Sequence, residues 1–303
     1  MNKPKIAIDD IAKNDFSIIC TYLASGIILE AEKRKGYDIN KNNYHLFSDK
    51  EKFILDSFYI LSNINDCLSS IEYACMFMKR FYGKDYYKNH QINIVNYSLY
   101  HYDVFCYKIS TLKDLYFKLV NHLYSLNLKE RACTWDNIKK KEVNINNSFL
   151  FSMLRQNYEF LSFIDKRRNK SAHEGEIKHK AFESISPYVA LTMYADKIPS
   201  GIGNGAIITR GSWLELELKA SRKLFLEEVE VCRYNSFTFT RCILCSLSDR
   251  FNSMIDKGIK EQYSEKMEKA IEVIVKNRNC INNAHLESCP NSNIIIPNPK
   301  STE

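Results

Sequence analysis

The sequence predicts an all-α protein. Apolar residues recur at steps of three and four over long stretches, and glycine and proline are scarce, nine and six in 303 residues. Apolar stripes of that period bury one face of a helix, and few breakers let helices run long.

The elements follow in order. Residues 14–35 read as a first helix, with Ile18, Tyr22, Ile28 and Leu29 among its apolar positions. Ser48 to Glu51, "SDKE", has the capping-box pattern, in which the first and last side chains each serve the other's backbone N–H. It opens a stripe of Phe53, Ile54, Phe58, Leu61, Ile64, Leu68, Ile71 and Cys75, and Gly83 is expected to end that helix. A second stripe runs through Ile92, Val95, Leu99, Tyr102, Cys106, Ile109, Leu112, Tyr116, Leu119 and Leu123. Two long helices with a short connection form an antiparallel pair.

Residues 126–147 are polar and read as a connector, with Asn147 or Ser148 capping the next helix. Leu150, Leu154, Tyr158 and Leu161 mark its apolar edge, broadened by Met153, Phe160 and Ile164. This helix is expected to run unbroken into "DKRRNKSAHEGE", residues 165–176. Residues 199–212 read as a loop. Its "GIGNG" lacks the Lys-Ser/Thr of a phosphate loop and follows no evident strand. Helical patterning resumes from Trp213 to about Ile255, and Ser264 is expected to cap a last helix with Met267, Ile271 and Ile274 on one face. The organisation expected is an N-terminal helical extension (1–47), a helical domain (48–260), a C-terminal helix (261–287) and a disordered tail (288–303) that holds three prolines.

Composition narrows the class. Hydrophobic residues at 45% and charged residues at 26% suit a soluble globular chain. The net charge of +7 is a mild basic excess, compatible with an anionic partner. The start, "MNKPKIAIDD", lacks the apolar core of a signal peptide, and no run of about 18 apolar residues predicts a membrane span. The expectation is a cytoplasmic protein whose ten cysteines are reduced. Cys67, Cys75 and Cys106 fall on apolar faces and read as small core hydrophobes. Cys242-x2-Cys245 could join Cys280 and His285 as a zinc set, but "CILC" lies in an apolar helical stretch and reads as core.

The stretch richest in chemistry is 165–176. Arg168 and His173 form Arg-x4-His, and Arg278 and His285 form Arg-x6-His; Asn follows the arginine in both. Asn169 and His173 are four apart and share a helix face. Arg168 lies about 140° around an ideal helix from His173, so its side chain must curl toward that face. Gly175 suits the position just past a helix, which leaves His173 in the last turn. The negative end of the helix dipole favours positive charge there. A basic last turn is also what any helix C-terminus prefers, so the surface-helix reading stands beside the catalytic one. The pair at 278 and 285 reads more simply as a surface helix end.

"RNKSAH", with Asn169 in the polar slot after the arginine, resembles the motif of the HEPN superfamily, and the long helices before it resemble that family's architecture. The resemblance covers roughly residues 48–260. It implies an all-α HEPN-like bundle and a metal-independent endoribonuclease without cofactor. Two motif helices, normally from two subunits, then form one cleft. It also implies a toxin or anti-phage defence role, with an antitoxin or defence partner. The alternative is a catalytically inactive HEPN-like interaction or nucleic-acid-binding module. The residue types fit RNA cleavage. RNA carries its own nucleophile, histidine exchanges protons near neutral pH, and arginine offers a charged planar fork to phosphate. The expected catalytic residues are Arg168, Asn169 and His173, with Lys166, Arg167 and Lys170 binding RNA. The expected partners are RNA and a second copy of the chain, with no membrane.

Overall fold

A computed structural model describes residues 11, 13–81, 85–175, 178–193, 211–255 and 257–283. Among these there is no strand, and no helix is long and apolar enough to cross a membrane. The helices are α1 (Asp15–Ala31), α2 (Asp49–Lys79), α3 (Asp85–Asn89), α4 (Ile94–Leu123), α5 (Trp135–Lys139), α6 (Glu142–Ile145) and α7 (Ser148–Phe160). They continue with α8 (Ser162–Glu174), α9 (Lys180–Glu183), α10 (Ser186–Met193), α11 (Gly211–Met254), α12 (Lys257–Gln262) and α13 (Ser264–Asn283). The loop read at 199–212 falls mostly outside the described residues, as do Gly83 and the tail from 288.

The contacts divide the chain into two units. One takes the chain up to Leu68, then Thr111–Phe160, then the chain from Asn235; the other takes Ser69–Ser110 and Leu161–Tyr234.

In the first unit α1 starts where Asn14 Oδ1 accepts the Phe16 N–H. Phe16, Ile54, Leu119, Val120, Phe239 and Phe251 are fully or almost fully buried. The expected capping box is present. Ser48 N–H donates to Glu51 Oε2 at 2.9 Å, and Glu51 N–H donates to Ser48 Oγ at 3.3 Å. Arg34 Nη1 also donates to Glu51 Oε2 at 3.0 Å, and the Tyr263 hydroxyl to its Oε1 at 2.6 Å. α13 packs on α1. A Cβ at Gly26 would lie 3.0 Å from Tyr263 Cδ1 and 3.1 Å from Lys266 Cγ, so a larger residue there would have to push these two side chains aside. α13 begins at Ser264 and buries Ala270 and Ile274, but Ile271 is half exposed and does not share that face.

The connector at 126–147 is less plain than its polarity suggests. α5 and α6 lie within it, because Trp135, Ile138 and Ile145 are buried and Trp135 packs on Phe151 and Tyr158. Asn147 Oδ1 caps α7 through the Leu150 N–H at 2.9 Å.

In the second unit Ile71, Cys75, Met78, Phe105, Cys106, Ile109, Phe225 and Val229 form the core. The helix expected to run unbroken through 165 is interrupted. Leu161 leaves the helical basin at φ −91°, ψ 4°, and its carbonyl accepts the N–H groups of Ile164 and Asp165 to start α8 afresh. No glycine or proline marks the break, which falls where the chain passes from one unit to the other.

Candidate functional site

The Arg168–His173 stretch occupies the last two turns of α8. Gly175 ends the helix as expected, at φ +73°, with its N–H on the Ser171 carbonyl at 2.8 Å. That backbone conformation is free for glycine and strained for other residues.

Side-chain bonds fix α8 against α4 within the second unit. Ser110 Oγ donates to Asp165 Oδ1 at 2.7 Å, and Ser171 Oγ donates to Asp103 Oδ1 at 2.9 Å. Arg167 Nη1 donates to the Tyr102 hydroxyl. Later residues of α8 meet earlier residues of α4, so the two run antiparallel.

Arg167 is the centre of a largely buried polar cluster. Its Nη1 also donates to Glu228 Oε1 on α11, the oxygen that accepts the Tyr102 hydroxyl at 3.0 Å. His179 Nδ1 accepts the Ala181 N–H at 3.2 Å. Its Nε2 lies 3.3 Å from the same Glu228 oxygen. The guanidinium lies over the Phe163 ring at 5.2 Å. Burial alone would raise the Glu228 carboxyl, but the bonds and charges of His179 and Arg167 outweigh it and hold the group at about 2. Burial likewise opposes the charge on Arg167, and Tyr102 and Glu228 outweigh that effect and raise its pKa. Desolvation pushes the Tyr102 phenol up.

The remaining expected site residues lie toward solvent. Lys166, Asn169, Lys170 and His173 are exposed, at steps of three and four on one face of α8. Lys170 Nζ lies 3.8 Å from Glu174 Oε2. Arg168 is partly exposed and turns toward this face, where its Nε and Nη2 donate to Asn169 Oδ1 at 3.3 and 2.9 Å. Arg168 and Asn169 are thus brought together. His173 shares their helix end but bonds to neither, and Arg167 points its guanidinium into the cluster with Glu228.

Arg278 lies on α13, while its side chain, that of Cys280, and His285 fall outside the described residues. Cys242 is buried, and Cys245 Sγ accepts from Asn14 Nδ2 at 3.0 Å. Among the described residues no three His, Cys, Asp or Glu side chains group as metal ligands.

Sequence reasoning missed Glu228 and His179, and read Tyr102 as core alone. Arg167 is 65 residues from Tyr102 and 61 from Glu228, so no local spacing reports the cluster. The one signal available is a carboxylate on the apolar stripe of Phe225, Val229 and Cys232. A charge on a buried face needs a partner.

A model of the family described as Cthe2314-like HEPN matches residues 59–238. That span contains all of α8 together with its partners on α4 and α11. No curated protein and no solved structure matches the chain.

Proposed function

The chain belongs to the Cthe2314-like HEPN family, and from that membership and the exposed end of α8 we propose that it is a metal-independent endoribonuclease. The observation that carries this reading is the shared solvent face of Asn169 and His173, with the Arg168 fork turned onto Asn169.

In the reaction, the 2′-oxygen of one ribose attacks the adjacent phosphorus and the bond from phosphorus to the 5′-oxygen breaks. One proton leaves the 2′-hydroxyl and one is delivered to the departing 5′-oxygen, giving a 2′,3′-cyclic phosphate and a 5′-hydroxyl. His173 moves the proton. Arg168 neutralises the phosphate, since a charged oxygen competes well with the neutral Asn169 amide for its fork, and this supplies the charge stabilisation without metal. Asn169, released from Arg168, orients the histidine or the ribose. Lys166 and Lys170 draw in the RNA backbone. The site is completed by a second copy of the chain, and the biological role is that of a toxin or an anti-phage effector held by a partner protein.

The test is incubation of the purified chain with single-stranded RNA in chelator. Fragments ending in cyclic phosphate are expected. Cleavage only on addition of a divalent metal would reject the mechanism, and no cleavage of any RNA would favour an interaction module built on the same fold.

A further inference from the structure

α4 carries two large exposed aromatics beside the candidate site. Tyr100 is 68% exposed and Tyr107 56% exposed, while Tyr102, Phe105, Cys106 and Ile109 between and beyond them are fully buried. Asp103 and Ser110 mark the edge of α4 that meets α8. In a helix of 3.6 residues per turn, Tyr100 and Tyr107 are about 40–60° from Asp103, on the solvent side of that edge. They stand seven residues apart, two turns on one face.

The antiparallel register sets their levels. Asp103 is level with Ser171. Tyr100 lies about 4.5 Å further toward the end of α8 that carries His173, and Tyr107 about 6 Å the other way, toward the level of Arg168. The exposed face of α8 beside them carries Lys166, Lys170 and the Arg168 fork. Of the described acidic groups nearby, Asp103 accepts from Ser171 Oγ and Glu174 lies 3.8 Å from Lys170 Nζ, a pair exposed enough for phosphate to compete with it. A strip that pairs exposed aromatic rings with adjacent cations matches what an unpaired polynucleotide offers, bases with π-faces on a phosphate chain.

We propose that Tyr100 and Tyr107 form a base-stacking platform for single-stranded RNA, which seats nucleotides on α4 while α8 holds the phosphate between them. This rests on the ribonuclease reading of α8 for its substrate class. The rings supply sequence-tolerant affinity, because every base has a face to stack. Duplex RNA, whose bases are already stacked, gains nothing from them.

The platform is tested in the His173→Ala background of the full chain, where binding is read apart from cleavage. The probe is a short single-stranded RNA carrying 2-aminopurine, whose fluorescence falls when the base stacks. Tyr100→Ala and Tyr107→Ala are each expected to weaken binding about tenfold and to remove the quench, whereas the Tyr→Phe variants keep both, since the ring and not the hydroxyl is used. Binding unchanged in both alanine variants would overturn the proposal. So would a fall in the light-scattering mass of those variants, which would place the rings in a seam between copies. Cleavage by the otherwise unaltered chain separates the two readings. Tyrosine-dependent binding with no cleavage keeps the platform and removes the ribonuclease, and cleavage indifferent to the tyrosines does the reverse. A chain that binds no single-stranded RNA loses both.

Discussion

Glu228 on α11 accepts a hydrogen bond from Arg167 on α8, 61 residues earlier in the chain, and Tyr102 on α4 donates to the same oxygen. Three helices are thereby joined at one carboxylate immediately before the Arg168–Asn169 pair. The side chains of Arg167 and Glu228 are only 22% and 24% exposed, so water replaces a lost partner only in part. Glu228→Ala is expected to destabilise the chain by about 3 kcal/mol, because it strands the Arg167 charge in a mostly buried place, and Arg167→Ala by less, because Tyr102 and His179 still face Glu228. Replacing both by apolar residues of similar volume, Arg167→Met with Glu228→Leu, should cost less than the two singles together. Urea denaturation of the singles and the double measures this, and additive losses would mean that the pair does not act as a unit.

Acid should act through the same carboxylate. The Glu228 carboxyl is held at about 2 in the folded chain against an ordinary 4.5, so the unfolded chain binds the proton first as pH falls. Its contribution is complete above about pH 5 and is lost progressively toward pH 2. Glu51 in the other unit behaves alike, with burial opposed and outweighed by Arg34, Tyr263 and Ser48, which also hold it at about 2. Stability measured by denaturation is expected to be flat from neutral pH to about 5 and to decline below it. Glu228→Gln and Glu51→Gln should each flatten part of that decline. An acid limb unchanged in both variants would mean that other carboxylates govern it.

How much of this was legible beforehand differs between contacts within a turn and contacts across the chain. The Ser48–Glu51 box, the Asn147 cap and the Gly175 stop are local, and each formed with the partners that its spacing implied. Most residues of the long stripes of α2 and α4 also turned inward, since a period near 3.6 is itself the statement of a buried face, while Phe53, Phe58 and Leu99 are only half-buried and Ile92 lies before α4 begins. The break at Leu161 carried no signal, because Phe160 and Leu161 both fit one apolar edge and only packing separates them. At the site, the solvent face of Asn169 and His173 follows from spacing alone. The engagement of Arg167 does so only in part. Its place three residues after buried Ile164 puts Arg167 on the inner face, but the carboxylate that holds it there comes from Glu228 on a distant helix.

A second copy of the chain is expected to pack against the exposed face of α8. One Arg168/His173 set gives few groups for a reaction that both removes and delivers a proton, and a two-fold axis beside α8 would double them. Light scattering should therefore give twice the 35.5 kDa of the chain. His173→Ala and Arg168→Ala chains, each inactive alone, should regain partial cleavage on mixing if one copy supplies the arginine and the other the histidine. A monomer at working concentration that still cuts RNA would remove the composite site.

The decisive contrast lies between folding and cleavage at the end of α8. His173 is exposed and has no hydrogen bond or ion pair among the described residues, and Arg168 bonds only to its exposed neighbour Asn169. Neither carries the core, so His173→Ala and Arg168→Ala should each cost at most about 1 kcal/mol, through the charge at the helix end. Loss of proton transfer or of phosphate neutralisation should instead lower the cleavage rate by roughly 10²-fold or more. Lys166→Ala and Lys170→Ala should weaken RNA binding in a salt-dependent way while leaving the maximal rate close to normal, because they meet the backbone and not the reacting bond. Arg278→Ala and His285→Ala should change little. Thermal melting and initial cleavage rates on the same preparations check all of these. A near-normal melt with cleavage lost places the chemistry at Arg168 and His173. A large fall in melting temperature for His173→Ala would make that histidine structural, and loss of cleavage in the 278 and 285 variants would move the site to the second Arg/His pair.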